Sequence, residues 1–303
     1  MIFKKFTIHI IVMSQAKRLE LYWIDQVNAG DAFAKYLVER IIKEEVILGY
    51  PGNPFGGPEV YQVTGSLASD SLKDTILLGT GVILDKLKIK TFKECHIVRG
   101  ALTLRKVKES RPEFDITHVK LGDTGLLLSE FVDNMPEIPR YDIGIVVHYL
   151  DQKLLKMIFA SDVLSSEKVL IINILNSDLQ DIAHKIKSCK RVFSSSLHGI
   201  VFAHSLNVPV VWIRLEKTGL PIDDFKFYDY LSIYNLPKNT IHCNLLKPEC
   251  KLSDLNSLPL INVDPAYLRD KKRELLSVIV RVFTDHGFTI RPEISHKLTL
   301  LRN

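Results

Sequence analysis

Short apolar runs alternate along this chain with stretches in which apolar residues recur every three or four positions. The first pattern marks strands buried on both faces, and the second marks helices with one apolar stripe. In the first half, the runs at 19–24, 60–63, 75–78, 95–98 and 116–121 predict strands. A helix is predicted over 32–48, with Phe33, Tyr36, Leu37, Ile41 and Val46 roughly on one face, and another over 124–131. The stretch 50–58 holds three prolines and three glycines, which makes it a loop.

Pro136 and Pro139 fall between periodic segments, so 135–141 reads as a linker. The pattern then restarts. Strands at 143–147, 169–174, 191–193 and 210–213 alternate with helices at 152–160, 178–188 and 199–206. Leu179, Ile182, Ala183 and Ile186 keep helical spacing within 178–188. A closing helix is expected over 265–286, with Asp264 as cap, Pro265 in the first turn and Gly287 as stop. The expected architecture is α/β, with parallel sheets and right-handed crossovers. It comprises an N-terminal extension (1–18), a first domain (19–135) and a second domain with the closing helix (142–303). Ligands of such sheets bind beyond the carboxyl ends of the strands, which directs attention to the loops that follow them.

Ser194-Ser195-Ser196-Leu197-His198-Gly199 stands between a predicted strand and helix. Hydroxyls, an imidazole and the helix start would converge there on an anion; the same serines would also serve as a capping turn. Asn28-Ala29-Gly30-Asp31 is either a substrate-facing loop or a turn closed by Asp31 as N-cap. Gly65-Ser66 and Gly79-Thr80-Gly81 are strand-end glycine turns that match no dinucleotide or P-loop fingerprint. Arg99 follows a strand, where its planar fork could grip a carboxylate or phosphate. Asp123 opens a helix, as a cap or as a contact to substrate. His148 ends a strand, a better place for acid–base work than a helix face, whereas His204 lies in an apolar helix and reads as a core residue. No histidine pair has metal-ligand spacing, and no metal is expected. The four cysteines, Cys95, Cys189, Cys243 and Cys250, form no C-x-x-C pair and read as free thiols.

Composition narrows the choice. The 303 residues suffice for two domains, and 46% hydrophobic with 25% charged residues is an ordinary globular mix. The net charge of +5 is not gathered into a basic stripe with interleaved aromatics, which argues against a nucleic-acid partner. It reads as a modest surplus of solvated lysines, or else as a bias toward anionic ligands or an anionic membrane surface. Lys4 and Lys5 precede an apolar run at 6–13 and small residues at 14–16, a short echo of a secretion signal. That run is too short to cross a bilayer; the expectation is an extension, folding from near Leu19, and a cytoplasmic protein.

The segment 191–213, RVFSSSLHGIVFAHSLNVPVVWI, resembles the signature segment of the polysaccharide pyruvyl transferases. Other pieces stand in that family's order: LELYW then NAGD, GS at Gly65, GTGVI at 79–83, VRGALT at 98–103, LGDTGLLL at 121–128 and IGIVVHYLD at 143–151. The resemblance implies two Rossmann-like domains facing a central cleft, similar to the GT-B glycosyltransferase architecture. It implies phosphoenolpyruvate as donor, with no further cofactor. The acceptor would be a sugar diol of a cell-surface polysaccharide or its precursor, free or lipid-linked. Many members carry an arginine where this chain has Ser196; serine occurs in a subset resembling the succinoglycan-type ketal-forming enzymes. One donor-anchoring cation is thereby missing. Arg99, which matches the family's other donor-binding arginine, would carry more of the load, with help from a lysine that the sequence does not identify.

On this reading His198 is the acid–base group, and Arg99 with the helix start at Gly199 holds the anions. Ser195, Ser196 and Leu197 line the donor, and Asn28, Gly30, Asp31, Ser66, Gly81, Asp123 and His148 face substrate. Two other classes fit the pattern. One is a nucleotide-sugar glycosyltransferase on the same scaffold, since fold does not fix function. The other is a non-catalytic module that binds an anionic glycan.

Overall fold

A computed structural model describes residues 17–25, 28–218, 223–234, 236 and 243–301. Most of the N-terminal extension lies outside them. Two parallel sheets make up the framework. The first contains β1 (Arg18–Leu21), β2 (Glu45–Leu48), β3 (Val60–Gln62), β4 (Thr75–Leu78), β5 (Glu94–Val98) and β6 (Lys120–Leu121), in the order β2-β1-β3-β4-β5-β6. The second contains β7 (Ile143–Val147), β8 (Val169–Asn173), β9 (Val192–Ser194), β10 (Val210–Leu215) and β11 (Asn244–Leu246), in the order β11-β10-β9-β7-β8. Every residue of β4 and β7 is buried, as runs such as TILL and IGIVV require of strands covered on both faces. The α/β expectation of two parallel sheets is met.

Each sheet repeats one winding. Its second strand lies on one side of the first and its third strand on the other. The chain therefore reverses direction at β1/β3 and again at β7/β9. Loops at these two reversals splay apart and leave a crevice.

The helix expected over 32–48 is two elements. α1 (Ala29–Ile41) ends where Ile42 turns to extended backbone, and 45–48 becomes β2. Val46, placed by periodicity on a helix face, is instead buried by pairing with Leu19; the β-branched pair Val46-Ile47 favours a strand once a parallel neighbour exists. α2 (Ala101–Ser110) follows β5 and had no sequence expectation. The 124–131 and 152–160 helices are largely 3-10 turns, at Thr124–Glu130 and Tyr149–Leu154; the second is followed by the short α3 (Leu155–Ile158). α4 (Ser161–Leu164), α5 (Leu179–Lys187), α6 (Leu197–Ser205), α7 (Phe225–Leu231) and α8 (Leu252–Ser257) complete the second half up to the closing helix.

α6 joins the two halves. Its apolar residues leave it no polar face, so it must be enclosed. It lies against β9 and β10, against the Thr124–Glu130 segment, and against α1, where Phe33 and Phe202 have ring centroids 5.7 Å apart. One continuous apolar cluster runs from α1 through α6 to the C-terminal helices. His198 is the one residue of α6 that is not buried.

α9 (Pro265–Asp285) begins and ends as expected: Asp264 caps it, Pro265 opens it, and Gly287 follows with φ 73°. It bridges both halves: Tyr267 and Lys272 donate to Ile233 O and Ser205 O of the second. It packs over β5 and the Thr124–Glu130 segment, and α10 (Pro292–Leu300) follows after Arg291 N–H bonds Ile41 O at 2.8 Å. The closing helix placed in the second domain from sequence thus seals the first sheet.

Candidate functional site

The crevice between the two reversal points encloses about 390 Å³. From the first sheet it is lined by Asn28 and Asp31 after β1, and by Gly65, Ser66 and Asp70 after β3. From the second it is lined by His148 after β7, Ser196, Leu197 and His198 after β9, and Lys226 on α7. A larger hollow of about 500 Å³ lies at the amino ends of β7 and β8, near Asp142 and Lys168. That is the end of a parallel sheet where ligands do not bind.

Asn28, not Asp31, caps α1, since its Oδ1 accepts from Gly30 N–H at 3.0 Å. Asp31 is left free to face the crevice. Burial pushes its carboxyl up to about 6, against the opposing pull of the Lys226 charge. Gly30 is needed for packing: a Cβ there would overlap Nδ1 of His198. Gly65, at φ 85°, turns the chain in the left-handed region. This aims Ser66 at the crevice.

His198 is pressed below its ordinary value by burial, with Lys226 and Arg99 adding to that effect and Asp123 opposing it. His148 is pushed down to about 3 by burial and then by Lys226 and His198. Its Nδ1 accepts from Leu150 N–H at 3.3 Å, so the ring proton sits on Nε2. Ser195 is fully buried behind it: its Oγ accepts from His148 N–H at 3.0 Å and donates to Asp151 Oδ2 at 2.9 Å. Ser195 therefore shapes the His148 turn and does not line the crevice. Ser196 does, and its side chain makes no capping bond to α6.

Three expected contacts stand elsewhere. Gly199 gives α6 its close approach to Ser194 and Val146, not to a ligand. Gly81 makes room for the Arg99 guanidinium. Asp123 is buried below the crevice, where its Oδ1 accepts from Gly125 N–H at 2.9 Å.

Arg99 stands one layer behind the crevice wall. It is fully buried and does not line the crevice. Nε pairs with Asp229 Oδ2 at 3.0 Å, one terminal nitrogen donates to Ser66 Oγ at 2.7 Å and Gly65 O at 3.4 Å, and the other donates to Val82 O. Asp229 also accepts from Thr103 N–H at 2.8 Å and Thr103 Oγ at 2.6 Å. The guanidinium thus clamps the Gly65–Ser66 turn and fastens α7 to the first sheet. Asp229 stands three residues after Lys226 on α7, so this clamp also positions Lys226.

Lys226 is the cation that sequence reasoning did not find. Burial pushes its ammonium down to about 8, and Arg99 adds to this against Asp31 and Asp151. One signal was available: a lysine in the first turn of a helix opposes the helix dipole, which is unusual unless something anionic faces it. Several groups with displaced proton affinities in one crevice are the mark of a functional site.

Among the described residues, Glu59, Glu94 and His286 are close enough together to hold a cation. They lie at the amino end of the first sheet, where His286 Nδ1 meets Glu59 at 3.0 Å and Lys93 meets Glu59 at 2.6 Å. Those bonds make the cluster a polar clasp for the end of α9.

Fold and site together define a two-sheet α/β protein whose crevice is framed by the reversal points of both sheets. Residues 28–216, more than half the chain, match the model of the polysaccharide pyruvyl transferase family, and the chain belongs to that family. The matched stretch carries the crevice from Asn28 to His198 but stops short of Lys226. The chain is also similar to "Uncharacterized protein L143" of Acanthamoeba polyphaga mimivirus. The two are 42% identical over 279 residues, which cover 91% of this chain and 95% of the relative.

Proposed function

We propose that the crevice binds phosphoenolpyruvate and transfers its 1-carboxyethylidene group to two hydroxyls of a saccharide, releasing phosphate. The observation that carries this reading is the convergence of Lys226, His198, Asp31, His148 and Ser196 on one crevice in a chain of this family. Lys226 and the uncapped start of α6 supply positive potential for the carboxylate and phosphate. Lys226 thereby stands in for the arginine that Ser196 replaces. The two halves face each other across the crevice in a GT-B-like arrangement.

The chemistry needs one proton delivered to C3 of the enol, which makes C2 electrophilic. One hydroxyl then adds to C2, phosphate departs, and the second hydroxyl closes the ketal. Of the two hydroxyl protons released, one balances the C3 proton and the other leaves with phosphate. His198 is the acid–base group for these transfers. In the free protein its imidazole is neutral at pH 7; a phosphate bound beside it favours the protonated form and arms it as an acid. Asp31, at about 6, is suited to receive an acceptor proton. The scheme requires no metal. A cytoplasmic site, where phosphoenolpyruvate is made, follows from the donor, and a lipid-linked acceptor is compatible with the mildly basic chain. No helix among the described residues is long and apolar enough to cross a membrane.

The test is phosphate release from phosphoenolpyruvate with galactose-, mannose- and N-acetylmannosamine-containing acceptors. His198→Ala should fold and lose about 10²–10⁴-fold or more in turnover. Near-normal turnover in that variant would remove His198 from the mechanism. Thermal stabilisation by a nucleoside diphosphate and none by phosphoenolpyruvate would replace the reading with glycosyl transfer.

A further inference from the structure

Among the described residues, two buried polar atoms on neighbouring elements, Nε2 of His198 and Oδ2 of Asp123, find no hydrogen-bond partner. Burial without a partner is costly for either, and more so for a charged group. Asp123 is held from its other oxygen, which accepts from Gly125 N–H at 2.9 Å and Thr64 Oγ at 3.3 Å. The turn it begins lies flat on α6. A Cβ at Gly125 would stand 2.8 Å from Val201, 3.3 Å from Phe202 and 3.1 Å from Asp123 Oδ1. Phe202 is one helical turn beyond His198, and their rings are 5.6 Å apart. Asp123 therefore opens a turn that packs on α6 one helical turn from His198. The outer nitrogen, Nδ1, lies against Gly30 at the start of α1.

Other charged or titratable groups surround the ring. Lys226 approaches from α7, Arg99 from the end of β5, and His148 from the end of β7. Asp31 shares the crevice from α1. After burial, Asp123 exerts the strongest influence on the imidazole and favours its protonated form, against Lys226 and Arg99.

We propose that Asp123 is the positioning residue of His198: its free carboxylate oxygen accepts the Nε2 proton and fixes the tautomer that leaves the Nδ1 lone pair toward the crevice. The hydrogen bond made by one ring nitrogen sets the role of the other. A proton gained or given during turnover then moves at Nδ1, while Nε2 keeps its own. The inference rests on the proposed role of His198 for its catalytic meaning, but the pairing itself can be read without turnover.

The experiment is nitrogen-15 NMR on the full chain labelled at histidine, in wild type and in Asp123→Asn. Asparagine keeps an oxygen for the Gly125 N–H and removes the charge. Wild-type His198 should be the Nε2–H tautomer, and Asp123→Asn should lower its titration midpoint by about one pH unit or more. The acid limb of the kcat/KM profile should move with it, which loss of packing alone would not produce. An Nδ1–H tautomer in wild type overturns the proposal even if the variant does not fold. So does an unchanged midpoint in a folded variant. Failure of the chain to release phosphate from phosphoenolpyruvate would remove the function and leave the pairing intact; an active protein with an Nδ1–H tautomer would do the reverse.

Discussion

Replacing Arg99 by methionine separates a clamp from a ligand contact. The side chain has no solvent exposure, and neither does its partner Asp229. Methionine fills much of the same volume but leaves the Asp229 charge without its cation and takes one donor each from Gly65 O, Ser66 Oγ and Val82 O. Breaking a buried pair from one side costs about 3–5 kcal/mol. Asp229 keeps two donors from Thr103, which places the loss near the lower end, about 3 kcal/mol. Urea unfolding of wild type, Arg99→Met, Asp229→Asn and the double variant should show each single loss and a coupling of about 1 kcal/mol or more. Phosphoenolpyruvate affinity, measured where Arg99→Met is still folded, should fall through displacement of Lys226 and Ser66, and by less than in Lys226→Met. Stability within about 0.5 kcal/mol of wild type, together with abolished ligand binding, would refute the clamp and restore Arg99 as a direct donor contact.

Lys226, at about 8 against an ordinary 10.5, loses its charge as pH rises through 8. Affinity for phosphoenolpyruvate should decline above that pH by up to about tenfold per pH unit, and Lys226→Met should bind weakly with no such dependence in titration calorimetry from pH 7 to 9. For Asp31 the folded value, about 6, lies above the ordinary 3.8. The native state therefore holds more protons between those values, and stability falls as pH rises through that window. Asp31→Asn should relieve at most about 3 kcal/mol at pH 7 and nothing near pH 3.5, as read from urea midpoints at the two pH values.

The sheet strands were legible where burial on both faces left an unbroken apolar run, as in 75–78 and 143–147, whose bounds match β4 and β7. They were not legible where pairing decides conformation. Residues 45–48 carry charge before a β-branched pair, and only the edge of β1 makes them a strand. The 19–24 run likewise ends early, at Leu21, because pairing to β2 and β3 stops there. Motif reading found most of the crevice because strand ends carry ligands, and Asn28, Asp31, Ser66, His148, Ser196 and His198 all obey that rule. It could not tell a residue facing the crevice from one facing the opposite side of the same turn. Ser195 and Ser196 are neighbours in one motif, yet one braces Asp151 and the other lines the opening.

Arg99 shows why a strand-end position alone is a weak guide to ligand contact. A guanidinium has five donors and one fixed plane; once a buried carboxylate and two carbonyls are within reach, the fold itself is the better ligand. That carboxylate comes from Asp229, 130 positions away along the chain, on a helix whose packing no local pattern announces. The same helix carries Lys226, so the buried pair and the crevice-lining cation belong to one device. The ion pair fixes α7, and α7 holds an ammonium at a helix start, where the dipole disfavours it and burial lowers its proton affinity. A side chain kept in so unfavourable a place by so costly a clamp has a physical rationale when an anion completes the site.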